Sequence, residues 1–199
     1  MAQSFNKSDE FFISALLTDV GESFRIAAEI DSPTNRRNCV RTMFSGIEGL
    51  LWFLKVRFLS EEHMHGLLSP HELDALNERA YIVTDSGTLK VAQKFLPITT
   101  SIRLVVRLLK RLESSKYEKY KADLSSQGWR DLVEAIKVRN RVVHPKTEND
   151  LLVSDRDIRA CSSGFGWMVM FNAYAQLSVL EYLERLYGSS RSEDSSSTN

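Results

Sequence analysis

Arg139 and His144 are separated by four residues in the run Val138-Arg139-Asn140-Arg141-Val142-Val143-His144-Pro145-Lys146, and Asn140 directly follows the arginine. A guanidinium presents a planar fork of donors that matches phosphate oxygens. An imidazole can give or take a proton near neutral pH. Asn140 could hold a phosphate or orient the imidazole. Cleaving a phosphodiester without a metal needs groups of this kind: a base for the attacking hydroxyl, an acid for the leaving oxygen, and a cation for the charge that grows on phosphorus. One histidine does not readily serve as both acid and base, but two histidines from two copies could.

The motif lies at the end of a segment with helical periodicity, from about Gln127 to Val143. At about 100° per residue, Leu132, Ala135, Ile136, Val142 and Val143 fall within about 60° of Arg139, three, four or seven residues away. Arg130, Glu134, Lys137 and Arg141 gather on the opposite side. Arg139 therefore sits at the edge of the apolar face, where an arginine needs a partner. Pro145 disfavours helical geometry at His144, so the helix is predicted to end there with both side chains projecting from its last turn. The alternative is structural: Arg139 pairs with an acid such as Glu48, and His144-Pro145 only stops the helix.

Glu48 belongs to an earlier helix, predicted from about Thr34 to Leu59 by the stripe Val40, Met43, Phe44, Ile47, Leu50, Leu51, Leu54 and Phe58. On that helix Arg37, Arg41, Glu48 and Lys55 fall within about 40° of one another. Glu48 could reach Arg139 or His144, and Arg41 is a second candidate phosphate ligand. The ordinary reading of this stripe is a solvated face with intrahelical ion pairs.

Other elements frame these two. A first helix is predicted from about Ser8 to Ile30, and Ser69-Pro70-His71-Glu72 is a capping box that starts a short one. Tyr81 to Val83, Asp85-Ser86-Gly87 and Leu89 to Val91 read as a small hairpin or extended excursion near 81–91. A further helix covers about Ile98 to Glu113. Ser154 to Asp157 caps a final helical region that reaches Tyr187, with a break near Ser162 to Gly166. The fold class is all-α, an antiparallel helical bundle, with one domain over 1–188 and a polar, disordered tail over 189–199. The last helix is apolar around most of its circumference, which calls for cover from the bundle or from a second subunit.

The 199 residues carry 26 basic and 26 acidic side chains, but the balance is uneven. Arg103 to Lys146 holds twelve Lys and Arg against five acids. Such an excess around the motif suits a polyanion such as RNA, with Arg141 and Lys146 as further contacts, and equally suits a solvated helix surface. Tyr117, Tyr120 and Trp129 could stack on bases or pack inside. Two cysteines and a polar Ser4 to Glu10 point to a reduced, cytoplasmic chain with no disulfide framework. Gly164 to Leu180 is uncharged but shorter than the ~20 residues of a membrane span, and Asn172, Gln176 and Ser178 interrupt it. His63 and His65 are two apart and do not share a helix face, so an exposed loop is expected there rather than a metal site. No P-loop, dinucleotide-binding glycine fingerprint or serine-nucleophile motif occurs, and no cofactor is expected.

The motif resembles that of the HEPN superfamily: an arginine, four to six residues, then a histidine, often with Asn, Asp or His after the arginine. Arg139-Asn140 and His144 fit the four-residue spacing. Ser69 to Leu96 and Gly128 to Lys146 also look like a group of uncharacterised bacterial HEPN-like proteins, and the resemblance covers roughly residues 8–187. It implies a helical homodimer that joins two motif copies in one cleft and cleaves RNA without a metal, leaving a cyclic phosphate. It implies roles for Arg139, Asn140 and His144, and an acid on an earlier helix, for which Glu48 is the candidate. The setting it implies is phage defence or a toxin–antitoxin pair with a protein antitoxin or regulator. Some HEPN domains instead only bind RNA, a nucleotide or a protein partner. Where HEPN toxins silenced by a nucleotidyltransferase carry a modified tyrosine, two residues after the histidine, this chain has Lys146, which argues against that mode of control.

Overall fold

Apolar side chains recurring at helical spacing give this chain mostly helix. The computed structural model describes residues 7–60, 66–112, 116 and 121–194. Among them run α1 (Lys7–Glu29), α2 (Pro33–Ser60), α3 (Pro70–Leu76), β1 (Arg79–Val83), β2 (Leu89–Gln93), α4 (Ile98–Leu109), α5 (Gln127–Val143) and α6 (Asp155–Asp194). Short 3-10 turns span Lys110–Leu112 and Glu148–Leu151. The fold is all-α with one small two-stranded sheet. None of these helices is long and apolar enough to cross a membrane.

The chain divides into two compact units, Met1–Leu50 with Lys119–Tyr174 and Leu51–Glu118 with Ala175–Asn199. In the first unit, Val40, Met43, Phe44 and Ile47 of α2 are buried with Leu132 and Ala135 of α5 and Met168 and Phe171 of α6. Each such large apolar side chain contributes roughly 1.5–3 kcal/mol when taken out of water. The Trp129 and Trp167 rings lie 5.3 Å apart, and Trp167 stacks on Phe171 at 5.4 Å. Trp129 is only 6% exposed, so it belongs to this core and does not stack on bases. The buried Asn172 amide donates to the Leu50 carbonyl at 3.1 Å.

Two expectations about the last helix are corrected. It is unbroken through Ser162 to Gly166. A Cβ on Gly164 would lie 2.7 Å from Leu132 Cα, so this glycine lets α5 and α6 approach closely rather than ending a helix. The helix also continues past Tyr187 to Asp194, into the tail expected from Ser189. The last part of that tail, 195–199, lies outside the described residues, as do His63, His65, Tyr117 and Tyr120.

In the second unit, Phe53, Leu54 and Phe58 of α2 are buried, as are Ile102, Val105 and Leu109 of α4 and Val179 and Leu183 of α6. α3 opens with the full capping box, Ser69 and Glu72 each closing on the other's backbone N–H. Arg111 adds an ion pair to Glu72 at 2.6 Å. The expected hairpin forms, with Tyr81 opposite Val91 and Val83 opposite Leu89. Gly87 turns it at φ 76°, its N–H bonding the Thr84 carbonyl at 2.8 Å.

Candidate functional site

The site is built where α5 ends, within the first unit. Ser126 caps the start of α5, its hydroxyl accepting from the Trp129 N–H. At the other end His144 leaves the helix at φ −124° and ψ 59°, as the following proline dictates, while its N–H still donates to the Asn140 carbonyl at 2.9 Å. The carbonyls of a last turn lack helical partners. Arg41, on α2, reaches one of them: its Nη2 donates to the Val142 oxygen at 3.4 Å, and its Nη1 bonds Asn38 Oδ1 at 3.2 Å.

Arg139 stands one turn back. Its Nη2 meets Glu48 Oε1 at 2.8 Å, and its Nη1 donates to Asn140 Oδ1 at 3.3 Å. The structure thus brings Arg139, Asn140 and Glu48 together, and of the two partners open to Glu48 it is Arg139 that Glu48 holds. The two side chains are 28% and 45% exposed, so water keeps the pair weak, on the order of 0.2–1 kcal/mol. His144 is exposed at the corner beyond them. Among the described residues no hydrogen-bond partner meets its imidazole. Lys146 is exposed as well.

Arg141 faces another way. Its Nη1 donates to the carbonyls of Asp150 and Leu152, and its Nη2 pairs with Asp157 Oδ2 at 2.7 Å. A guanidinium used in this way holds the fold together and leaves little for the RNA contact expected of it. Asp150 completes the clamp by accepting from the N–H groups of Lys146 and Thr147, each at 2.9 Å. Those bonds, the Lys146 N–H first, hold the Asp150 carboxyl below the usual carboxylate range. Burial works against ionisation of Asp157, but the Ser154 N–H and hydroxyl and Arg141 together keep its carboxyl low. Sequence reading missed Asp150 and Asp157 as supports, although Thr147 and Asp150 stand at capping-box spacing.

The result is a fixed corner that carries an open imidazole, a guanidinium oriented by a carboxylate, and a lysine. Among the described residues no group of three or more His, Cys, Asp or Glu is placed to hold a metal ion. Compared with protein-family models, curated proteins and solved structures, the chain matches none.

Proposed function

We propose that this chain is a metal-independent endoribonuclease of the HEPN type, built as a HEPN-like antiparallel bundle and acting as a homodimer in the cytoplasm. The observation that carries the reading is the exposed, unbonded His144 imidazole at the end of α5, five residues after an Arg139 that Glu48 orients. In this mechanism the imidazole of one copy takes the proton of a 2′-hydroxyl, and that oxygen attacks the adjacent phosphorus. The bond to the 5′-oxygen breaks, and the imidazolium of the second copy gives the leaving oxygen its proton. The products are a 2′,3′-cyclic phosphate and a 5′-hydroxyl. Arg139 bears the charge that grows on the phosphoryl oxygens, Asn140 and Glu48 position it, and Lys146 and Arg41 attract the backbone. The setting that goes with this activity is phage defence or a toxin–antitoxin pair, with a protein antitoxin or regulator as partner.

The test is RNA cleavage by the purified protein in EDTA, with His144→Ala and Arg139→Ala beside it. Cleavage that survives EDTA and disappears in both variants supports the nuclease. Intact RNA across a broad substrate panel removes it.

A second reading is a HEPN-like module that binds RNA, a nucleotide or a protein without cleaving anything. What favours it is that Arg139, Arg141 and Arg41 all have protein partners. It requires affinity without cleavage, and for RNA an affinity that falls steeply with salt.

A further inference from the structure

The hairpin of the second unit leaves its apolar side chains in water. Tyr81, Val83, Leu89 and Val91 share one face and are 55%, 70%, 67% and 62% exposed. A lone two-stranded sheet is marginal in water, and each of its strands has an open edge. Even so, this hairpin is firmly aimed. Glu78, at its base, takes a left-handed φ of 54°, its carbonyl accepts from the Lys94 N–H at 2.7 Å, and its carboxylate meets the half-buried Lys55 at 2.5 Å. A non-glycine residue persists in that conformation only where its surroundings hold it there.

The backbone decides which residues can pair further. Thr84 donates to Thr88 and Lys94 to Glu78, so the even-numbered residues of β1 bond to β2. In an antiparallel ladder bonded and non-bonded pairs alternate. Residues 79, 81 and 83 therefore turn their N–H and C=O groups to the outer edge of β1. Two copies can meet there about a two-fold axis in few registers. Centred on Ile82, Tyr81 falls opposite Val83 of the second copy, an aromatic against a β-branched side chain, and Arg79 lies toward Asp85 in the hairpin turn of the second copy, twice. Centred on Tyr81, Arg79 faces only Val83. Both Arg79 and Asp85 are exposed, and among the described residues neither has an ion-pair partner. The outer edge of β2 runs past Lys90 and Lys94 and carries no acid, so self-pairing there joins no opposite charges.

We propose that β1 pairs with β1 of a second copy of this chain, in the antiparallel register centred on Ile82, to make a four-stranded sheet. The apolar faces then run on without a break, Val91 and Tyr81 of one copy continuing into Val83 and Leu89 of the other. A closed two-fold contact of this kind uses up both β1 edges, so no third copy can add to them. It is a contact separate from the pairing of motif copies proposed above, so a failure to cleave RNA leaves it intact.

The experiment is cysteine cross-linking of the full chain with mild oxidation, beside its mass in solution across a range of concentrations. The native Cys39 and Cys161 are fully buried and do not interfere. In this register Ile82 faces Ile82 of the second copy as a non-bonded pair, with Cα atoms about 4.5 Å apart, within disulfide reach. Ile82→Cys is expected to form a covalent dimer and Tyr81→Cys is not. Arg79→Glu is expected to cut the yield of the Ile82→Cys cross-link roughly tenfold by setting two acids against each other, and adding Asp85→Arg restores it. A monomer at every concentration overturns the proposal, as does equal cross-linking from both cysteine positions. An Ile82→Cys cross-link indifferent to Arg79→Glu overturns it as well, and circular dichroism confirms that each variant is folded.

Discussion

Arg141 Nη2 lies 2.7 Å from Asp157 Oδ2, which ties the last turn of α5 to the first turn of α6. Two positions earlier on the same helix, Arg139 turns to Glu48 on α2 instead. Residues two apart on a helix point about 200° from each other, so the two arginines of one motif have separate work. One frames the corner from which His144 projects, and the other stands in it.

Unfolding in urea separates these roles. Arg141→Ala leaves Asp157 and the carbonyls of Asp150 and Leu152 without their donor in a half-buried setting, and a loss of about 1–3 kcal/mol is expected. Arg139→Ala breaks a pair largely open to water, and its cost stays below about 1 kcal/mol. Equal losses from the two variants contradict this division.

Acid acts through Glu72. The Arg111 guanidinium first, and the Ser69 N–H after it, hold the Glu72 carboxyl at about 2. An unfolded glutamate titrates near 4.3. The folded value is the lower one, so the stabilisation is complete above about pH 4.3 and is lost as pH falls through about 2. Glu72→Gln keeps a side chain able to close the capping box but lacks the charge. Its stability deficit against the native chain should be full at neutral pH and shrink as the pH drops toward 2. A deficit that does not change with pH assigns Glu72 a purely steric role.

Much of this frame could be read from the chain, and the part that could not has a common physical cause. Gln127 and Val143 bound the motif helix as expected, because periodicity and Pro145 are local signals. The Ser69 capping box and the turn at Gly87 are local too. Arg141 looked like a free cation because its partners lie nine and more residues further on, beyond the end of its helix. Gly164 looked like a helix break, since a sequence does not tell a glycine placed for backbone freedom from one placed for its missing Cβ. Glu48 stands out as the candidate acid from its place on the charged stripe of α2, but whether it meets Arg139 or His144 depends on how α2 approaches α5, which is not a local signal.

The two thiols should be inert in the folded protein. Burial, with the charges of Asp157 and Cys39 added, pushes the Cys161 thiol up to about 12. Burial raises Cys39 as well, against a weak contact from the Ser23 hydroxyl. The thiolate is the reactive form, so neither residue should label with a disulfide reagent at pH near 8 until denaturant is added, when both should react. Fast labelling of the native protein would mean that the interface between α2 and α6 opens readily.

Gly164 and Gly166 make the sharpest comparison, since they lie on one helix and differ only in what they face. A methyl group at Gly164 would sit 2.7 Å from Leu132 Cα and 2.9 Å from its nitrogen, and backbone atoms inside a helix cannot step aside. Gly164→Ala must therefore push α5 away from α6, at a cost of roughly 1–3 kcal/mol. At Gly166 a methyl group meets nothing within 4 Å. There alanine only stiffens the helix and limits the unfolded chain, a gain of about 0.5–1 kcal/mol. Urea unfolding of the two variants should thus move in opposite directions from the native chain. If both are destabilised alike, the close crossing at Leu132 is not what fixes α5, and the positions of Arg139 and His144 must depend on the Arg141 clamp alone.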